Sequence, residues 1–333
     1  MKFRSLILAA ALACGSGGVF ASSAFNLGVA DNFSAFVFGN MTVTGSTDAE
    51  HSVAVQGNLT ATSGAWTAAQ GGATYSSGGK EWALVVGGNV NWTSGSVTDK
   101  TESIYVGGTM TTGSAYDPTL GPVQKGGTSP VNFAAVKAQL VAENAALLGK
   151  AATGTTLYGN NTATGGKAGG SASTLYLQGS GGAVEYFTID SSRLTGNLFS
   201  EFNLTGVAAG STIVLNITGS ATDIALGNMN SLLGFSGHQT LLNFASNVSK
   251  LTLGSLNADA AVLAYNADIT TTWGNENGTI IAKSYTGAAQ LNGGHYGSSS
   301  SAASSSSSSK VPEPGTLALA GLAMALIARR RRA

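Results

Sequence analysis

The stretch Leu84-Val-Val-Gly-Gly-Asn-Val-Asn-Trp92 decides the fold, because variants of it recur along the first half of the chain. Each copy is an apolar strand, a Gly-Asn or Gly-Gly corner and a second, alternating strand. The other copies are Val37-Phe-Gly-Asn-Met-Thr-Val-Thr-Gly45, Val53-Ala-Val-Gln-Gly-Asn-Leu-Thr-Ala-Thr62 and Ile104-Tyr-Val-Gly-Gly-Thr-Met-Thr111. Their corners, at Gly39, Gly57, Gly88 and Gly108, are 18, 31 and 20 residues apart. One Gly-Asn corner is typical of a hairpin, but a repeat near this length predicts stacked solenoid coils.

The second half of the chain continues in the same style. Its candidate strands are Val184–Ile189, Thr212–Thr218, Thr240–Phe244, Val262–Tyr265 and Gly278–Ala282. Asn216, Asn243 and Asn266 lie in or beside these strands and are predicted to stack as polar ladders between coils. The Asn-x-Ser/Thr sequences at Asn58, Asn216 and Asn277 are interpreted as ladder composition, not glycosylation sites.

Residues 130–150 interrupt the strand pattern and predict a helix. Apolar residues recur there at helical spacing, namely Phe133, Val136, Leu140, Val141, Ala145 and Leu148. Ser129 is expected to cap the helix, with Pro130 in its first position and Gly149 closing it. The helix is expected to pack along one face of the solenoid, and the alternative is a helix that joins two separate domains. Residues 152–173, rich in Gly, Ser, Thr and Ala, are predicted to be a surface loop.

Residues 1–24 are predicted to be a secretory signal peptide. Lys2 and Arg4 form its basic start, and the apolar run after them is too short to span a bilayer. Small residues follow, and cleavage is predicted after Ala21 or Ala24.

Cys14 is the single cysteine of the 333-residue chain, and it lies inside the predicted signal. A lipoprotein attached through Cys14 is an alternative, although Leu12 stands one place too late for a typical lipobox. Removal of the signal would leave a body with no disulfide and no thiolate metal site.

The charge of the exported body differs from the formal net charge of zero. Only 10% of the residues are charged, against about 25% in an average globular protein. Loss of the two basic ends leaves 10 basic and 15 acidic residues, a net charge of about −5. Arg193 is then the single arginine. This balance argues against a nucleic-acid-binding protein.

The C-terminus combines four features in a fixed order. A serine-rich linker spans residues 298–310, and Val311-Pro-Glu-Pro-Gly315 follows it. The apolar run Thr316–Ala328 is shorter than the roughly 20 residues of a full membrane span. Four basic residues end it, Arg329, Arg330, Arg331 and Arg332, and the positive-inside rule predicts that they anchor this end in the cytoplasm.

This order resembles a PEP-CTERM sorting domain, here residues 311–333. The resemblance implies an exosortase partner, a membrane protease-transpeptidase that reads Val311, Pro312, Glu313 and Pro314. It also implies a transmembrane helix that anchors the protein transiently in the inner membrane. Transfer to the cell surface or extracellular matrix of a Gram-negative bacterium, or release, follows on this analogy.

Residues 25–297 resemble the choice-of-anchor A family. The likeness rests on the start Phe25-Asn-Leu-Gly-Val-Ala-Asp-Asn-Phe33, the coil at residues 48–58 and the close at residues 262–296. His51 and Gln56 stand where that family usually has glycines. The resemblance implies a mainly β protein, an ice-binding-like parallel β-solenoid with one long α-helix packed alongside. It implies an adhesin of the cell surface or biofilm and brings no catalytic residues.

The titratable residues predict neither a catalytic site nor a cofactor or metal site. His51, His238 and His295 are scattered, and no two have metal-ligand spacing. Asp48 and Glu50 are close in sequence, but they are expected to face solvent in a strand connection.

The leading hypothesis is therefore a non-enzymatic surface or matrix protein that binds exopolysaccharide or other surfaces. Four aromatic residues are candidates for glycan contact, with core packing the alternative for most of them: Trp66, Trp82, Trp92 and Trp273.

Two other functions compete with this hypothesis. Ice binding would use Thr-x-Thr pairs such as Thr42/Thr44, Thr60/Thr62 and Thr270/Thr272, although these pairs are not evenly spaced. A β-helix polysaccharide-degrading enzyme would need paired carboxylates at the scissile bond, and the carboxylates of this chain are dispersed.

Overall fold

The computed structural model describes residues 24–73, 75–97, 101–116, 121–197, 199–226, 231–254 and 260–293. Chain contacts divide the protein into two units, Met1–Ser299 and Ser300–Ala333, and the described residues all lie in the first. Residues 1–23 of the predicted signal, the linker and the sorting segment lie outside the described residues.

The described residues are mainly strands. The helical elements are α1 Phe133–Leu148 and the 3-10 segments Gly28–Asn32, Thr162–Thr164 and Ser191–Asn197. The strands of the first half are β1 Phe33–Val37, β2 Met41–Val43, β3 Thr47–Asp48, β4 Ser52–Val55, β5 Leu59–Ala61, β6 Trp66–Ala68, β7 Tyr75–Ser77, β8 Lys80–Val86, β9 Val90–Val97, β10 Ser103–Val106, β11 Met110–Tyr116 and β12 Val123–Lys125. Those of the second half are β13 Thr155–Tyr158, β14 Thr174–Gln178, β15 Val184–Asp190, β16 Glu201–Thr205, β17 Thr212–Thr218, β18 Asp223–Leu226, β19 Ser231–Leu233, β20 Gln239–Phe244, β21 Lys250–Leu253, β22 Ala260–Thr271, β23 Asn275–Glu276, β24 Ile280–Gly287 and β25 Gln290–Leu291.

The strands stack as coils of a three-sided solenoid, which confirms the predicted fold. One side, here called the helix face, is a parallel stack in the order β12-β10-β8-β4-β1-β24-β22-β20-β17-β15. A second side, here called the threonine face, stacks β11-β9-β5-β2-β24-β22-β21-β18, also parallel. The third side holds β9-β6-β3 in the first half and β14-β16-β19 in the second, with β13 antiparallel to β14.

The order of the stack shows that the chain does not wind from one end to the other. β1 lies in the middle of the helix face, and the first half adds coils outward from it to β12. The second half begins at the opposite end with β15 and winds back until β24 pairs with β1. The two ends of the body are therefore hydrogen-bonded to each other at the centre of the stack.

The glycine corners stack directly on one another, as the repeat predicts. The amide of Gly57 donates to the carbonyl of Gly39 at 2.8 Å, and the amide of Gly88 donates to the carbonyl of Gly57 at 2.9 Å. A Cβ atom at Gly88 would lie 2.6 Å from that carbonyl oxygen. Only glycine allows so close an approach of two backbones.

Helix α1 begins three residues later than the sequence predicts. Asn132 is the N-cap, and its Oδ1 accepts a hydrogen bond from the Ala135 amide at 3.1 Å. The prediction of Ser129 as the cap is wrong, because its hydroxyl hydrogen-bonds to the Val131 carbonyl instead. Gly149 closes the helix as predicted.

The helix lies on the solenoid and does not join two domains. Its 16 residues span about 24 Å, or about five strand spacings. Phe133 packs on Phe36 of β1 with ring centroids 5.3 Å apart, and Leu140 joins the same buried cluster. The helix thus covers the apolar outer side of part of the helix face, where β1, β17 and β20 are buried on both sides.

A buried asparagine ladder ties α1 to this face. The Nδ2 atom of Asn144 donates to Oδ1 of Asn243 at 2.6 Å and to the Phe244 carbonyl at 2.9 Å. Asn243 in turn donates to Oδ1 of Asn216 at 2.8 Å, and Asn216 donates to the Leu147 carbonyl at 2.7 Å. The predicted ladder is therefore confirmed for two of its three members.

Asn266 does not belong to that ladder. The register places Leu263 opposite Asn243, and Asn266 is exposed and donates to the Ser246 carbonyl at 2.6 Å. The prediction of a loop over residues 152–173 is also wrong in part, because β13 lies within it and pairs with β14.

The turn before β15 is held by a buried carboxylate. Glu185 accepts hydrogen bonds from the amides of Ser180 and Gly182, both at 2.8 Å, and from the Thr153 hydroxyl. Burial alone would raise the pKa of Glu185, but these hydrogen bonds outweigh it and lower the pKa below its ordinary value.

Within the described residues, no helix is both long and apolar enough to cross a membrane. The predicted membrane segment at residues 316–328 lies outside them, so a transmembrane helix stays a prediction.

Candidate functional site

The threonine face carries one outward residue from each of eight neighbouring strands in a single row, here called the threonine row. Strand register aligns them directly, and six of the eight are threonines. In spatial order they are Thr111, Asn91, Thr60, Thr42, Thr286, Thr270, Thr252 and Ala225.

Strand alternation produces this row. Met41 and Val43 are buried in the core on either side of Thr42, so the threonine between them points outward. β-branched side chains suit the pleated surface and are stiff at χ1, which holds their hydroxyls in defined positions. Adjacent strands lie about 4.8 Å apart, so the row is about 34 Å long.

The row changes the interpretation of the Thr-x-Thr pairs. The spacing of these pairs in the sequence is uneven because insertions separate the coils. Strand register nevertheless places Thr42, Thr60 and Thr270 in the same row. The argument against a regular threonine face is therefore wrong for these three.

A second polar row follows the corner between the helix face and the threonine face. Oδ1 of Asn40 accepts a hydrogen bond from the backbone N–H of Asn58 at 2.9 Å, and Oδ1 of Asn58 accepts one from the backbone N–H of Asn89 at 2.8 Å. Asn89 then accepts from the amide and hydroxyl of Thr109. Each side-chain oxygen thus satisfies a backbone donor of the next coil, which fixes the spacing of the coils.

In the second half of the stack, charged residues replace the asparagines at this corner. Asp268 accepts from the Ser284 hydroxyl at 2.7 Å and forms an ion pair with Lys283 at 3.1 Å. The Ser284 hydrogen bond, and then the contacts with Lys283, lower the pKa of Asp268. Lys250 and Asp223 form a second pair at 3.5 Å. Both pairs are exposed, so they orient side chains and contribute little stability.

The four candidate tryptophans divide into three that pack in the core and one that is exposed. Trp66, Trp82 and Trp92 are buried, and the rings of Trp66 and Trp92 lie 5.0 Å apart inside the solenoid. Trp273 is 56% exposed and follows the end of β22, the strand that carries Thr270. Of the four candidates, Trp273 is therefore the one whose ring is exposed.

The structure brings no catalytic constellation together from the predicted titratable residues. His51 and His238 lie on different coils, and His295 lies outside the described residues. Asp48 is half-buried in β3, and burial raises its pKa, so the expectation that it faces solvent is wrong. The described residues contain no group of three or more His, Cys, Asp or Glu that could hold a metal ion.

Comparison with models of known protein families agrees with this solenoid architecture. A family model for an ice-binding-like adhesive domain covers residues 26–293. The chain belongs to the ice-binding-like adhesive domain family. A second model, the PEP-CTERM protein-sorting motif, matches residues 310–332. The comparisons found no significant match among curated proteins or solved structures.

The two matches together identify an exported protein of the Gram-negative cell envelope or surface. The sorting motif implies that an exosortase processes it. The sorting match includes Val311, Pro312, Glu313 and Pro314 as well as Arg329–Arg332. These residues lie outside the described part of the chain, and their individual roles stay predictions.

Proposed function

We propose that this protein is a non-enzymatic adhesin of biofilm or exopolysaccharide, and that the threonine face makes the contact. The observation that carries the proposal is the in-register row of eight residues on a parallel stack, six of which are threonines. Such a row presents hydroxyl groups at a fixed repeat to a ligand that is itself a polymer of hydroxyl-bearing units.

The rest of the fold supports this assignment of faces. Helix α1 covers the part of the helix face that contains β1, β22, β20 and β17, whereas the residues of the threonine row are exposed or half-buried along all eight strands. Many weak contacts along about 34 Å would act together, because a bound chain engages further sites at high effective concentration. Trp273, which is exposed two residues after the end of β22, adds an aromatic platform close in sequence to Thr270 of the row.

We further propose how the chain reaches the surface. The signal at residues 1–24 is removed after export, and the membrane segment with its terminal arginines holds the chain transiently in the inner membrane. The serine-rich residues 298–310 act as a flexible spacer between the body and the exosortase site.

A matched pair of substitutions tests the role of the threonine row. Thr286→Tyr places a bulky ring at the centre of the row, and Thr205→Tyr makes the same change at an exposed strand position outside it. We expect Thr286→Tyr to weaken cosedimentation with exopolysaccharide from the producing cells, and Thr205→Tyr to leave it unchanged. Circular dichroism checks that both variants fold. Equal binding by both variants and the unaltered protein would refute the role of the face.

Ice binding is the second candidate, because the same row is regular at about 4.8 Å along the stack. Thermal hysteresis of the purified protein measures this activity. Hysteresis that disappears in Thr286→Tyr and persists in Thr205→Tyr would support it, and no hysteresis in the unaltered protein would remove it.

A further inference from the structure

A groove of about 240 Å³ lies at the β15 end of the solenoid. Its lining residues include Tyr158 at the end of β13, Arg193, Phe199, Asn160 and Asn161. The groove is open at the surface, so it is accessible to a ligand from solvent.

The aromatic wall of the groove is held in place by its surroundings. The rings of Tyr158 and Phe199 have centroids 6.1 Å apart. The Tyr158 hydroxyl accepts a hydrogen bond from the Asp190 amide at 2.8 Å, which fixes the ring. Burial raises the pKa of Tyr158, so the phenol is neutral at physiological pH.

Arg193 supplies the positive charge of the groove. Its guanidinium carbon lies 4.9 Å from the centroid of the Tyr158 ring, a cation–π contact that orients the planar fork. Among the described residues, no carboxylate lies within ion-pair distance of Arg193. It is the single arginine between the signal and the sorting segment, in a body with a net charge of about −5. A guanidinium without a carboxylate partner is suited to binding an anionic ligand in bidentate fashion.

The two asparagines complete the set of groups that a sugar requires. Oδ1 of Asn161 accepts from the Ala163 amide at 3.1 Å, which leaves its Nδ2 as a donor. Asn160 is exposed beside it, at a turn where Gly159 has φ of +68°. Amide groups next to an aromatic wall provide hydrogen bonds to hydroxyls while the ring covers the apolar face of the ligand.

We propose that this groove binds an acidic sugar, a uronic acid unit of a polysaccharide, through its carboxylate. Arg193 binds the carboxylate, Tyr158 contacts the sugar ring while the buried Phe199 supports Tyr158, and the amides of Asn160 and Asn161 bind the sugar hydroxyls. The inference deepens the proposed function and rests on it for the view that the natural ligand is a polysaccharide.

The experiment measures binding of short oligogalacturonates to the exported protein by calorimetry, with neutral gluco-oligosaccharides of the same length as a comparison. Arg193→Gln should weaken oligogalacturonate binding by about ten- to a hundredfold, as expected for a lost charge-assisted bidentate contact. Lys167→Gln is the matched control, because it removes one exposed positive charge that lies over Tyr176, which does not line the groove. Binding by Lys167→Gln should stay within about twofold of the unaltered protein, since a single exposed charge is largely screened.

Asn160→Ala keeps the test decisive if Arg193→Gln does not fold, because Asn160 is exposed and its loss should also weaken oligogalacturonate binding. Absence of oligogalacturonate binding, equal binding of neutral oligomers, or equal losses in Arg193→Gln and Lys167→Gln would each overturn the inference. Thr286→Tyr separates the two proposals. If exopolysaccharide binding depends on Thr286 while oligogalacturonates do not bind, the adhesin proposal stands and the groove proposal fails.

Discussion

Replacing Asn144 by alanine should partly detach helix α1 from the solenoid. Asn144 is 2% exposed, and its Nδ2 donates two hydrogen bonds, to Oδ1 of Asn243 and to the Phe244 carbonyl. The substitution leaves both acceptors buried without this donor. Each unsatisfied buried group costs about 1–3 kcal/mol, so we expect the free energy of unfolding to fall by about 2–5 kcal/mol.

Urea denaturation followed by circular dichroism measures this loss. Asn275→Ala is the control, because it makes the same change at an exposed strand position and should alter the free energy of unfolding by less than about 0.5 kcal/mol. A double-mutant cycle of Asn144→Ala with Asn243→Ala should show a coupling of about 0.5–3 kcal/mol, because the two side chains share one hydrogen bond.

The reasoning is refuted if Asn144→Ala is as stable as Asn275→Ala. It is also refuted if the effects of Asn144→Ala and Asn243→Ala are simply additive, since the ladder would then not act as a unit.

Three further predictions follow from the packing and the charges. Trp92→Ala should lower the free energy of unfolding by about 3–5 kcal/mol because the ring is fully buried, whereas Trp273→Ala should change it by less than about 0.5 kcal/mol; similar urea midpoints for the two would contradict this. Gly95→Ala should destabilise the protein far more than Gly210→Ala. Both glycines have positive φ, but a Cβ atom at position 95 would also overlap a backbone carbonyl, and at position 210 it meets nothing within 4 Å; thermal melts that rank the two equally would contradict this. The pKa of Glu185 is lower in the folded state than its ordinary value of 4.5, so its stabilisation is complete above that pH and is lost as the pH falls through the folded pKa. Melting temperatures measured between pH 7 and pH 3 should therefore fall less steeply in Glu185→Gln than in the unaltered protein, and parallel curves would exclude this role.

The sequence indicated only some of the residues that line the groove, and not the groove itself. Arg193 attracts notice as the single arginine of the exported body, but nothing near it in sequence indicates a binding site. Its aromatic partner Tyr158 lies in a segment whose composition predicts a loop, although the short Thr-Thr-Leu-Tyr alternation there is a weak strand signal. Antiparallel pairing of β13 with β14 holds Tyr158 at the edge of the coil, where it meets Arg193.

The sequence by itself determined the local elements and the destination of this protein. Alternation predicts strands, recurring Gly-Asn and Gly-Gly pairs predict corners, helical spacing predicts α1, and the tail carries a sorting motif, because each signal depends only on neighbouring residues. Tertiary structure alone decided that β1 lies beside β24, that six threonines from distant coils form one row, and that a tyrosine and an arginine share a groove. Many strands of this chain have nearly equivalent patterns, so their partners are chosen by the packing energy of the whole stack, which no local pattern encodes.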